Sequence, residues 1–219
     1  SLYFTFYSSS DKFRLNDDTT YRYSNQNLVL KWKHVFNNKL YSTLSGGKDR
    51  YAYSVAGNKE TIRSYQLEFG IDQYNIKGDF IYNPNNKHQL NFGLSNIYYK
   101  LQPGSLQPKG PQSLVMPEKV APEQAIETAF YLGDRISLTD RLSINAGIRY
   151  VLYNYLGPRQ TYSYFKGLSR DLATIEDSAY YSAGNIIKTY QGPEYRLSLR
   201  YSLSDQASVK IGYNTLRQY

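Results

Sequence analysis

No cysteine occurs in the 219 residues, which excludes a disulfide scaffold and any cysteine metal or redox site. Histidine is nearly absent, with only His34 and His88, and tryptophan and methionine occur once each. Two histidines on separate segments supply neither a metal cluster nor a base held beside a nucleophile, so no metal, no cofactor and no enzymatic chemistry is expected. No apolar run approaches the roughly 18 residues of a membrane-spanning helix, and the mean hydropathy is −0.61. A transmembrane barrel escapes that exclusion, because its polar inner face offsets its lipid face in any average. The chain opens at Ser1 inside an apolar alternation, with no charged and apolar leader before it, so a signal peptide is expected to have been removed or to lie outside this segment. The net charge of +8 comes from Lys and Arg scattered singly, without a basic run or basic helix, and nucleic acid is not an expected partner.

What is abundant is tyrosine, at 25 residues against nine Phe. A ring with an apolar body and a polar tip suits membrane interfaces. The clearest local pattern is EQAIETAFYLGDRISLTDRLSINAGIRYVLYNY at 123 to 155. Its second half carries apolar residues at Leu142, Ile144, Ala146, Ile148, Tyr150 and Leu152, opposite Ser143, Asn145, Gly147 and Arg149. Period two means strand, and about ten residues of it, greasy on one side only, match a strand crossing a bilayer in a barrel.

The same reading predicts strands over residues 1–8, 22–36, 39–53, 62–82, 88–100, 123–138, 142–155 and two in a last hairpin turning at Ser204, Asp205 and Gln206. Connections then alternate. Short turns lie at Asn37–Asn38, 84–87, 139–141 and 204–206; long loops lie at 9–21, 54–61, 101–122 and 156–189. Short periplasmic turns and long extracellular loops are the habit of an outer-membrane barrel. The expected fold is therefore all-β: a partial antiparallel up-and-down transmembrane β-barrel of about nine long strands, with all 219 residues one portion of a barrel domain whose plug and other strands lie elsewhere.

Three local expectations follow. The apolar phase of 62–82 changes from odd (Tyr65, Leu67, Phe69, Ile71) to even (Tyr74, Ile76, Phe80, Tyr82), predicting a bulge near Asp72 and Gln73. Five prolines in 101–122 argue against a strand there. Asp134 falls on the lipid face, which requires either an interfacial position or a bulge at Gly133. The lumen face is expected to carry Lys31, Lys33, Glu68, Asp79, Glu127, Arg149, Arg196, Arg200 and Lys210, a cross-paired wall of both signs. Ligand-binding candidates are outer-loop residues that offer aromatic faces and donors: Arg159, Tyr162, Tyr164, Phe165, Tyr180 and Tyr181.

Tyr131 to Asp134, LSINAGIRY at 142–150, a long outer loop and GPEYRLSLRYSLSDQASVKIGYNTLRQY at 192–219 resemble the barrel of a TonB-dependent outer-membrane receptor of the Bacteroidetes type. LNFGLSNIYYKLQPG at 90–104 is similar to an earlier strand and loop of such barrels, and together these stretches cover about two thirds of the chain. The resemblance implies a barrel of about 22 strands closed by a plug, in the outer membrane of a Gram-negative bacterium. It implies TonB as partner, and uptake of a scarce metal chelate, oligosaccharide or peptide, with a surface lipoprotein as a further partner. A passive porin or structural barrel, and a soluble all-β carbohydrate-binding module, are the alternative readings.

Overall fold

A computed structural model describes residues 1–15, 18–58 and 60–218. Nine strands lie side by side in chain order in one antiparallel sheet: β1 (Leu2–Leu15), β2 (Thr19–Val35), β3 (Leu40–Gly57), β4 (Tyr65–Asn85), β5 (His88–Pro108), β7 (Glu123–Ser137), β8 (Leu142–Leu156), β11 (Ile186–Ser202) and β12 (Ser208–Asn214). A two-residue strand, β6 (Glu118–Lys119), adds to the edge of β5 above the start of β7. β9 (Arg159–Tyr164) and β10 (Ile175–Tyr181) form a separate hairpin within the long loop between β8 and β11. The nine predicted strands are what the sheet contains, with short turns at one end and, apart from the brief β1–β2 connection, longer loops at the other.

One face of the sheet is a band of exposed apolar side chains, including Phe4, Leu30, Ile76, Leu94, Leu132, Ile148, Leu197 and Ile211. Only four apolar residues are buried among those described: Ala125, Ala129, Val151 and Leu156. A soluble sandwich would bury its apolar face against a second sheet. Here a single layer leaves that face outward, as lipid contact requires. On β4 the band runs from Tyr82 to Tyr74, about 27 Å along the strand, and an ordinary barrel tilt reduces that to roughly 20 Å of height.

Several expectations are corrected. The loop placed at 9–21 is strand almost throughout: β1 and β2 pair from Leu2↔Trp32 to Leu15↔Thr19, and Asn16 and Asp17 lie outside the described residues. Residues 101–108 likewise continue β5 as far as Pro108. Pro103 is accommodated because the register with β4 shifts there, between Glu68↔Ser105 and Gly70↔Gln102, a bulge that tolerates a missing N–H. The bulge expected at Asp72 and Gln73 does not exist, since β3 and β4 pair without interruption from Leu40↔Tyr82 to Gly57↔Tyr65.

The phase change in β4 has another cause. Near the turns the outward neighbour is lipid, and apolar residues point out at even positions of β1 to β4. Beyond the band the outward neighbour is water, and apolar residues point in at odd positions. β1 (Phe4, Phe6, then Phe13, Leu15) and β2 (Leu28, Leu30, then Tyr21, Tyr23 toward its outer end) make the same switch without a bulge. With parity preserved, Glu68 sits on the outward face beyond the band and not on the inner wall, where the other eight predicted charges do lie.

Asp134 is on the outward face, and no bulge exists at Gly133, because β7 keeps one register with β5 and β8 throughout. Its Oδ2 is 2.7 Å from Nδ1 of His88, the first residue of β5 after the turn. A hydrogen-bonded partner near the turn level is how a carboxylate is carried on this face.

Candidate functional site: the inner wall and outer loops

The inward side chains of the central strands are polar and mutually paired. Arg149 on β8 donates to Glu127 on β7 at 2.6 Å and to Glu194 on β11 at 3.1 Å. Tyr131 on β7 lies across Gly93 of β5 and donates to Asp79 of β4, whose other neighbour is Lys77 at 2.9 Å. Gly93 is required there, since an added Cβ would run into the Gly78 carbonyl and the Tyr131 phenol. Gly133 and Gly147, opposite one another, outline with Lys77, Tyr131 and Arg149 a concave notch of about 530 Å³ that also reaches Asn91, Asn145 and Arg196.

Above this wall, on β1 to β4, the phase switch brings rings inward. Tyr21 stacks on Phe13 at 4.8 Å, Phe13 on Tyr23 at 5.8 Å, Tyr23 on Tyr53 at 4.8 Å, and Tyr53 on Phe69 at 5.7 Å. Interplanar angles of 11° to 26° mean that the rings face one another and present their edges to the lumen. The lumen therefore meets a row of C–H edges with the phenols of Tyr21, Tyr23 and Tyr53 among them. Desolvation, then the adjoining Tyr23, holds the Tyr53 phenol above its ordinary pKa.

Below the rings lies a tier of amides. Asn27 and Asn75 both donate to the carboxylate of Asp49, the second at 3.0 Å, while Gln73 faces Asp49 across the β3–β4 pair. Gly47 leaves the room that Asn75 occupies. Aromatic edges above amides and a doubly held carboxylate thus line this part of the inner face with both apolar and hydrogen-bonding groups. The sequence does not reveal this site: the odd-position rings of 65–71 read as the sign of a bulge, Tyr21 falls in the loop expected at 9–21, and Tyr23, Tyr51 and Tyr53 stand only at strand ends, so no change of environment is inferred.

The six predicted ligand residues all lie on the β9–β10 hairpin but not on one face. Tyr162, Tyr164 and Tyr180 share one side of the ribbon, Arg159 and Tyr181 pair on the other, and Phe165 begins the tip. Arg159 bridges back to the barrel: Nη1 donates to Glu123 at 2.7 Å and to the Tyr155 phenol, and the guanidinium lies 5.6 Å from that ring's centre. Those bonds, Glu123 first, hold its pKa above the ordinary value. Tyr162, Phe165 and Tyr180 are exposed. Among the described residues no group of His, Asp or Glu is arranged to hold a metal ion.

A family model described as TonB dependent receptor-like, beta-barrel, matches residues 2–216. Solved structures agree on the fold. The copper transporter OprC superposes with a TM-score of 0.63 at 9% identity, over 94% of this chain and 36% of that one. The open form of the ferric-catecholate import receptor Fiu from E. coli K12 gives 0.57 at 12%, covering 93% and 37%. BauA, the ferric preacinetobactin receptor from Acinetobacter baumannii, gives 0.57 at 13%, covering 88% and 30%. The chain thus spans about a third of these proteins' length. Comparison with curated protein sequences finds no match.

Proposed function

The chain belongs to the TonB-dependent receptor-like β-barrel family, and from that premise we propose that it is one portion of an outer-membrane transporter that captures a scarce solute outside the cell and imports it into the periplasm. Energy comes from TonB acting through a plug, and no covalent chemistry is involved. The observation that carries the reading is the inward turn of the Phe13–Tyr23–Tyr53–Phe69 row above the Asn27–Asp49–Asn75 tier, at the loop end of the barrel, where an incoming solute first meets the wall. Tyr162, Tyr164 and Tyr180 act as the outer contact on the hairpin, with Phe165 at its tip; Arg159 ties the hairpin to the wall, and Tyr181 backs it. The cargo classes are a metal chelate, an oligosaccharide or a peptide, and the metal and ferric-chelate cargoes in the names of the similar structures favour the first. A surface lipoprotein seated on the loops is a further partner.

The test is uptake by cells carrying the full-length protein in the outer membrane, supplied in turn with a ferric catecholate, a copper salt, a labelled oligosaccharide and a labelled peptide. The expected result is saturable uptake of one of them, lost without TonB and reduced at least about tenfold by Tyr53→Ala combined with Asn27→Ala. Uptake that continues without TonB would make the protein a passive pore; if uptake of every probe is independent of the protein, the reading fails.

A further inference from the structure

The phase switch has a second side. Where rings turn inward, the outward positions beyond the apolar band become free for charge. On β1 to β5 they hold Lys12, Arg14, Arg22, Lys48, Arg50 and Lys100 against two carboxylates, Glu68 and Asp72. Beyond the band on β7, β8 and β11, the outward face has Gln124, Asn154, Thr189 and Gln191, with no charge. The basic surface is therefore a patch on one side of the barrel and not a general fringe.

Within it, Lys12 and Arg22 are directly opposite partners on neighbouring strands. Like charges so placed repel. Neither has a carboxylate at ion-pair distance among the described residues, and both are exposed. Asp72, 3.9 Å from Arg50, offsets part of the patch, and Arg14 at the end of β1 has a partner of its own. Lys48 sits at the edge of the band, its ammonium 5.3 Å from the centre of the Tyr74 ring, as an interfacial cation does. From Phe6 to Lys12 and from Leu28 to Arg22 is six residues each, about 20 Å along the strand and less in height. The patch thus begins at headgroup level with Lys48 and Arg50 and rises above it to Lys12 and Arg22, whose long side chains reach back down toward headgroup phosphates.

We propose that this face of β1 to β5 binds a phosphorylated lipid of the outer leaflet, with Lys12, Arg22 and Arg50 gripping headgroup phosphates while the chains lie on the apolar band below. Arginine and lysine suit phosphate oxygens, and a bound anion would relieve the repulsion between Lys12 and Arg22. The inference concerns the lipid-facing exterior and is independent of which solute crosses the lumen.

The experiment uses the detergent-purified full-length protein and three probes: lipid A carrying both phosphates in mixed micelles, its dephosphorylated form, and inorganic phosphate. Bound lipid is counted by native mass spectrometry, and the barrel's integrity is checked by its heat-dependent gel shift. Expected is retention of phosphorylated lipid A, weakened at least about tenfold by removing its phosphates, by 0.5 M salt, or by K12Q/R22Q/R50Q. A variant with K39Q/K87Q/R141Q at the opposite turns, equal in charge loss, retains it. Should the first variant fail to fold, the salt and dephosphorylation arms on the unaltered protein decide. Equal binding of both lipid forms, or full displacement by inorganic phosphate at millimolar concentration, would overturn the proposal.

Discussion

Arg149 shows why single residues matter on a wall only one layer thick. Its guanidinium is the shared partner of Glu127 and Glu194, and the Glu194 side chain is only 4% exposed. Removing the arginine leaves that carboxylate buried beside a second one, a loss on the order of 3 kcal/mol. R149M is therefore expected to lower the heat-modification midpoint of the full-length protein, whereas E127Q, which leaves Arg149 with Glu194, lowers it less. Equal effects would mean that the three groups do not act as one cluster. Arg149 and Glu127 were legible in the sequence as inward charges, because strand parity alone gives their face. Glu194 shares the inward parity of Arg196, but its pairing with Arg149 was not legible, because only the β8–β11 register brings the two opposite one another. The His88–Asp134 pair was hidden for the same reason: 46 residues separate two side chains that only the β5–β7 pairing makes neighbours.

At the scale of the strand, one rule accounts for both the successes and the errors of reading the sequence. Alternation located all nine main strands, yet a change of phase has two possible causes, a bulge or a change in what lies outside. Sequence alone does not separate them, and in β4 the second operates. The same ambiguity made Ser9–Leu15 look like loop, since strands extending beyond lipid lose their outward apolar residues. The rule predicts opposite results for one substitution made at two heights. Ile76, 72% exposed within the band, changed to Arg should cost about 2 to 4 kcal/mol and sharply reduce the heat-modifiable, membrane-inserted fraction. Ser10→Arg, outward but beyond the band, should leave that fraction unchanged. If both variants inserted equally well, the lipid boundary would not lie where the phase changes.

For the whole molecule, the decisive fact is that the nine-strand sheet has two edges, β1 and β12, which do not pair with one another. The outer edge of β1 alone presents the backbone groups of a 14-residue strand. In hydrocarbon no water satisfies them, and each unmet N–H or C=O costs several kcal/mol, so a sheet in this state has no stable place in a bilayer. We therefore expect both edges to be paired by further strands in the natural protein, in keeping with a chain that covers only 36% of OprC. Hydrogen exchange measured on the full-length barrel in detergent distinguishes the possibilities. Closure by further strands predicts that amides of Phe4 and Phe6 are protected as strongly as those of Leu28 and Leu30 on β2, which is flanked on both sides. A 219-residue fragment refolded by itself should lose the protection at β1 first, and should associate through its edges. Protection at β1 in a monomeric fragment would show that these nine strands close on themselves, and the larger barrel would have to be given up.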